Sequence, residues 1–357
     1  MSTSEFDSFR PPEPIGGRRR RRGDGKRRRR DESVMVPDAE FTSYYGRPVV
    51  KPAPWGHEVG AYLFLGGVAG GSALLAVGAQ LTGRKRLRRN TRISALVTVS
   101  LGALALVKDL GRPERFVNML RTVKLTSPMS LGSWILSLFS AGIGVAAVSE
   151  IDRLSGDRIP LGPLRPVLRA VEGPAGLEAG VFAAPLAVYT AVLLTDTATP
   201  TWNAAYRDLP FVFVSSASLA ASGLAMITTD VDEAAPARKL AVIAAVSDVV
   251  SARFTEYRMD PVAREPLHHG APGRLLQWSE ILAAAGGLGA LVGGGRRGTA
   301  ALSGLALLTA SALLRFGFFE AGKASARDPR YTMEPQRRRL AARRAAGITD
   351  DSITTAG

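Results

Sequence analysis

Asp109-Leu-Gly-Arg-Pro-Glu-Arg115 sets four charges and a helix-breaking Gly and Pro directly after one uncharged run, Ile93–Val107, and shortly before another, Leu131–Val148. A charged side chain at the centre of a bilayer costs about 2.5 to 3.5 kcal/mol on insertion scales. Lys108 and the charges after it therefore belong where a spanning helix meets water or a polar cavity. The segment reads as a polar turn at a membrane face, and the runs on either side read as membrane helices. Two uses of the turn stand open at this point. It is a solvated interhelical loop, or a headgroup-level site where Asp109 and Arg112 pair and face a ligand.

Upstream, Val59–Leu81 is long enough, at about 1.5 Å per residue, to cross a hydrocarbon core of about 30 Å. Within it Gly66, Gly67, Gly70 and Gly71 make overlapping small-xxx-small pairs that admit a close helix neighbour. Downstream, Ser127-Pro-Met-Ser-Leu-Gly-Ser-Trp134 puts Pro128 at a helix start and Trp134 in an interfacial belt. Further runs follow at Leu177–Leu194, Phe211–Thr228, Lys239–Phe254, Ile281–Val292 and Thr299–Phe319. The Lys239–Phe254 run is short for a span and carries Asp248, while Gln277 and Glu280 stand just before Ile281. The expected fold is all-α: a polytopic integral membrane protein of eight transmembrane helices, dividing into two four-helix bundles, with both tails on one side. Residues 1–50 are expected to be a disordered basic tail, 51–322 the membrane domain and 323–357 a basic C-terminal tail.

The 357 residues carry a net charge of +15, much of it in the blocks Arg18–Arg22, Lys26–Arg30 and Arg337–Arg344. Because these blocks flank hydrophobic spans, contact with anionic lipid headgroups or topogenic retention explains them better than nucleic acid. The first apolar stretch begins near Val59 and is too long for the h-region of a cleavable signal peptide. The loops on the far side also carry arginines, Arg84 to Arg92 and Arg153 to Arg169 among them, so the charge rule pulls both ways; the tails are read as cytoplasmic in a plasma-membrane protein. There is no cysteine, which excludes a thiolate-bound iron-sulfur cluster and a disulfide within the chain. The three histidines are His57, His268 and His269, and the adjacent pair sits in a Pro- and Gly-rich connection, a poor basis for a bis-His haem.

Topology alone places His57 and Glu58, Asp109 and Arg112, and Trp202 and Arg207 at one membrane face. Tyr189 lies inside its span, roughly 10 Å below that face at about 1.5 Å per residue. A pocket holding a His, a carboxylate and a Tyr hydroxyl between apolar walls suits a lipid-soluble quinone, whose ring needs donors to two carbonyls and a proton source or sink. Asp248 and Glu280 are read either as a proton path or as a satisfied interhelical polar pair.

Four stretches, in this order, resemble the NrfD/PsrC family, the membrane subunit of polysulfide reductase-like molybdoenzymes: Tyr62-Leu-Phe-Leu-Gly-Gly-Val-Ala-Gly-Gly71, Asp109-Leu-Gly-Arg-Pro-Glu-Arg-Phe116, Ser127-Pro-Met-Ser-Leu-Gly-Ser-Trp134 and Tyr189-Thr-Ala-Val-Leu-Leu194. The resemblance implies a haem-free subunit, not catalytic alone. It would exchange electrons between the quinone pool, menaquinone or ubiquinone, and a ferredoxin-like iron-sulfur subunit that serves a molybdopterin catalytic subunit. It also implies quinone contacts at His57, Glu58, Tyr62 and Tyr189, although the position that can hold an Asn one turn before the family's His is Ala53 here. His57 would exchange a proton with a ring oxygen, Glu58 or Asp109 would pass it to water, Tyr189 would orient the other carbonyl, and Arg112 would be the charge partner of Asp109. A secondary transporter, or a purely structural anchor, would show the same apolar runs.

Overall fold

The computed structural model describes residues 48–112 and 114–347. The expected basic N-terminal tail, with both arginine-rich blocks, lies outside the described residues apart from its last three positions. The chain is helical throughout, in the order α1 (His57–Leu81), α2 (Lys85–Asp109), α3 (Arg115–Met119), α4 (Pro128–Leu154), α5 (Leu164–Thr195), α6 (Pro200–Ala204), α7 (Leu209–Thr228), α8 (Ala235–Arg258), α9 (Pro261–His268), α10 (Gly270–Gly293), α11 (Arg297–Arg327) and α12 (Arg330–Ala345). Among the described residues there is no strand.

Among the described residues seven helices are long and apolar enough to cross a membrane: α1, α2, α4, α5, α7, α10 and α11. The eighth expected span corresponds to α8, which at 24 residues has the length but not the composition. Arg238 and Lys239 stand at one end, Arg253, Glu256 and Arg258 at the other, and Asp248 between them. The long helices pack as two sets of four, α1, α2, α4 and α5 in one and α7, α8, α10 and α11 in the other, joined chiefly where α1 and α5 meet α7 and where α1 meets α11. The molecule is an all-α, multi-pass membrane protein.

Small residues set this packing, because apolar burial gives little drive between helices in lipid. A Cβ added at Gly70 would lie 2.8 Å from the carbonyl of Ala183 on α5, and one at Gly71 would lie 2.6 Å from that of Ala217 on α7. These two glycines let α1 sit between its neighbours. Accordingly 72% of the apolar window of α1 is buried, against 28% for peripheral α2. The start of α4 follows its sequence signals: Ser127 caps it, Oγ accepting from the Ser130 N–H at 3.4 Å, with Pro128 in the first turn.

The helices run well past the uncharged stretches. Residues 85–92, expected as loop, begin α2, and of the far-side loop carrying Arg153 to Arg169 the first residues belong to the end of α4 and the last to the start of α5. The reason is mutual neutralisation. The buried Glu150 carboxylate accepts from Arg88 Nε at 2.8 Å and Arg92 Nη1 at 3.0 Å, and pairs with Arg153 at 3.1 Å. Buried Asp152 takes Arg165 at 3.1 Å and Arg169 at 2.7 Å. Arg153 also reaches Glu172, to which the Ser149 hydroxyl donates. Side chains of α2, α4 and α5 thus supply each other's partners, so charged residues remain helical at that end of the bundle.

Candidate functional site

At the opposite end of the first bundle, on the face where α1 begins and α11 ends, a cleft with a cavity volume of about 100 Å³ opens between α1, α2, α4 and α5. Its walls are mostly apolar: Val59, Leu106, Leu110, Phe116, Met119, Met129, Leu136 and Leu193. Its inner polar feature is a pair of tyrosines. Tyr62 of α1 is 1% exposed, and its hydroxyl and that of Tyr189 on α5 hydrogen-bond to each other, the ring centroids 6.3 Å apart. Glycines make room for both rings. A Cβ on Gly102 of α2 would lie 3.2 Å from the Tyr62 ring, and one on Gly132 of α4 would fall inside the Tyr189 ring. A second groove, between α4 and α5, shares Tyr189 and is otherwise lined mainly by apolar residues such as Leu131, Ile135 and Val188.

The segment before α1 closes one side of the cleft. Trp55 lines it, and its indole stacks on buried Trp202 with centroids 5.7 Å apart and planes 22° apart. Trp202 in turn stacks on Phe319 of α11 at 5.6 Å, and its indole N–H donates to the Phe318 carbonyl at 3.0 Å. Asp109 Oδ1 accepts the Gly56 N–H at 3.1 Å, and Lys323 Nζ donates to the Trp55 carbonyl at 3.0 Å.

Of the residues expected at the site, Tyr62, Tyr189 and Asp109 line the cleft together. Glu58 stands at its rim, 3.0 Å from Lys108 Nζ. His57 is directed elsewhere: its side chain is 82% exposed, and Nδ1 lies 3.6 Å from Glu320 Oε1 of α11. The Asp109–Arg112 pair does not form among the described residues. Asp109 is engaged by Gly56, while Gly111, at φ 66°, turns the chain so that Arg112 is exposed. Asp248 and Glu280 do not bond each other either. Glu280 pairs with Arg253 at 2.7 Å, and Asp248, 2% exposed, has an Oδ1 with no hydrogen-bond partner among the described residues.

Three further residues bear on the chemistry. Trp55 and Lys323 shape the cleft as described. Arg315 of α11 is fully buried between the two helix sets, donating to the Phe213 carbonyl at 2.5 Å, to Ser216 Oγ at 3.3 Å and to Thr190 Oγ1 at 3.4 Å. Its guanidinium lies 3.8 Å from the centroid of the Phe213 ring. A lone charge inside the expected span Thr299–Phe319 was the available signal for it.

The geometry offers a mostly apolar cleft with a pair of tyrosine hydroxyls in its wall and charged side chains close by. No curated protein matches the chain at a significant level. The family described as polysulphide reductase, NrfD, matches residues 49–252, a stretch that contains every residue lining the cleft. The chain belongs to the NrfD family, whose members are membrane subunits of molybdoenzyme complexes.

Proposed function

We propose that this chain is the haem-free, quinone-reactive anchor of a respiratory oxidoreductase complex in the plasma membrane. It passes electrons between the quinone pool and a ferredoxin-like iron-sulfur subunit, which serves a molybdopterin catalytic subunit. The observation that supports this reading most is the Tyr62–Tyr189 hydroxyl pair at the inner end of an apolar cleft. A bound quinone supplies two-electron, two-proton chemistry; the chain's own residues bind it, orient it and handle its protons.

One tyrosine hydroxyl donates to the other, and the one whose proton remains free donates toward a ring oxygen, while the groove between α4 and α5 gives an isoprenoid tail a way into lipid past Tyr189. At the rim, Glu58 beside Lys108 exchanges protons with water. The chain has no cysteine to ligate a cluster, so electrons cross to a partner. Proton coupling draws on the interior: Arg315 contacts Thr190, the neighbour of Tyr189, and Asp248 is a second buried charge-bearing group in the helix set to which Arg315 belongs. Glu280, held by Arg253, stands at the outer end of that route.

The test is to purify the tagged full-length chain in mild detergent, identify co-purifying proteins, and titrate the assembly with a quinol analogue. An iron-sulfur protein and a molybdoenzyme in the eluate, with analogue binding weakened by Tyr189→Phe, support the reading. A chain that purifies alone, binds no analogue and moves a solute into vesicles is a transporter instead.

A further inference from the structure

The peptide unit joining Trp55 to Gly56 is tied at both of its polar groups by side chains from two different helices. Its carbonyl accepts from Lys323 of α11 at 3.0 Å, and its N–H donates to Asp109 at the end of α2 at 3.1 Å. No ordinary helix cap accounts for this, since Gly56 at the start of α1 has no side chain to offer and none caps it. A backbone fixed at both C=O and N–H keeps its plane, and with it the direction of the attached side chain. That side chain is the Trp55 indole. One of its faces rests on Trp202, itself packed on Phe319, and the ring borders the cleft. Lys323 is held in turn, 5.2 Å from the Phe319 centroid and 3.7 Å from Glu320.

We propose that Trp55 is the stacking wall for the quinone ring, and that Asp109 and Lys323 are positioning residues that hold this wall in register with Tyr62 and Tyr189. The proposal rests on the quinone reading of the cleft. An electron-rich indole face complements the electron-poor face of a quinone, and offset ring stacking adds to simple burial. Asp109 then acts as a hydrogen-bond acceptor for one backbone N–H. Its negative charge is incidental to that role.

The experiment uses the full-length chain in detergent and a fluorescent hydroxyquinoline N-oxide as quinol analogue. Trp55→Leu is expected to weaken binding about tenfold, and Trp55→Phe, which keeps a flat ring, by no more than about threefold. Asp109→Leu is expected to match Trp55→Leu, whereas Asp109→Asn, whose amide oxygen still accepts the Gly56 N–H, retains affinity to within about threefold. Adding Asp109→Leu to Trp55→Leu should cause no further loss, as two changes acting through one contact do. Native affinity in Trp55→Leu overturns the proposal, and so does an Asp109→Asn variant as weak as Asp109→Leu. If Trp55→Leu does not purify as a folded species, the two Asp109 variants decide alone. No binding by the native chain would remove the quinone reading itself; binding lost in Tyr189→Phe but kept in Trp55→Leu removes the stacking wall only.

Discussion

Tyr62 and Tyr189 stand 127 positions apart and hydrogen-bond through their hydroxyls at the inner wall of the cleft. Among the described residues each hydroxyl has the other as its hydrogen-bond partner, so removing one strands the second. Leaving a buried polar group unsatisfied costs about 1 to 3 kcal/mol, whereas removing both partners together is nearly neutral. Tyr62→Phe and Tyr189→Phe should therefore each lower the thermal midpoint in detergent, and the double variant should recover part of the loss. Quinol-analogue binding should fall in all three. Recovery of binding in the double variant would count against the hydroxyls as ligand donors.

Gly132 provides a steric test of the same wall. A methyl group there enters the space of the Tyr189 ring, while one at Gly144 on the same helix meets nothing within 4 Å. Overpacking of this kind costs about 1 to 3 kcal/mol. Gly132→Ala should destabilise the chain and weaken analogue binding together, with Gly144→Ala close to native in both. Equal melting curves for the two variants would show that the ring moves aside freely.

Much of the fold is legible as uncharged runs, because lipid admits little else, and the turn after Asp109 was placed by its charges. The helix ends were not legible: Arg88 and Arg92 of α2 find Glu150 of α4, and Asp152 of α4 finds Arg165 and Arg169 of α5, a tertiary fact. At the site, His57 was drawn in by its neighbour Glu58 and by depth in the membrane. Direction around the helix decides otherwise. At roughly 100° per residue, the five positions from His57 to Tyr62 amount to a rotation of roughly 140°, so the two side chains leave opposite sides. Val59, three positions before Tyr62, falls near its own direction and lines the cleft. Trp55 precedes the helix, beyond the extended Gly56, so helical spacing does not reach it and its place in the cleft is set by tertiary contacts. Lys323 lies 268 positions from the carbonyl it holds, and no local pattern announces it.

The ionic cluster at the far end of the first bundle makes a prediction about folding rather than chemistry. Glu150 is 2% exposed and serves Arg88, Arg92 and Arg153 at once. Breaking a buried pair by removing one partner costs about 3 to 5 kcal/mol, since the remaining charges lose their compensation. Glu150→Gln keeps the shape and removes the charge, and should lower the thermal midpoint sharply while leaving the affinity of the folded fraction for quinol analogue near native. A fall in affinity without a fall in stability would connect the two ends of the bundle instead.

Arg315 and Asp248 test whether the interior charges act as a unit. Arg315 is fully buried and spends its hydrogen bonds on a carbonyl and hydroxyls, and among the described residues no carboxylate pairs with it directly. Asp248 is buried too, one of its oxygens without a hydrogen-bond partner among the described residues, in a helix of the same set. Compensation at a distance in a low-dielectric interior predicts a specific double-mutant cycle. Arg315→Gln should destabilise the chain by about 3 to 5 kcal/mol, the range for a buried charge left without its opposite. Asp248→Asn alone should also destabilise, because the guanidinium then stands uncompensated. The double variant should be less destabilised than the sum of the two by about 0.5 to 3 kcal/mol, the usual coupling between interacting sites. Thermal unfolding of the four proteins in one detergent measures this. Strict additivity would mean that the two charges are independent, and the proton route drawn through them would then have no electrostatic basis.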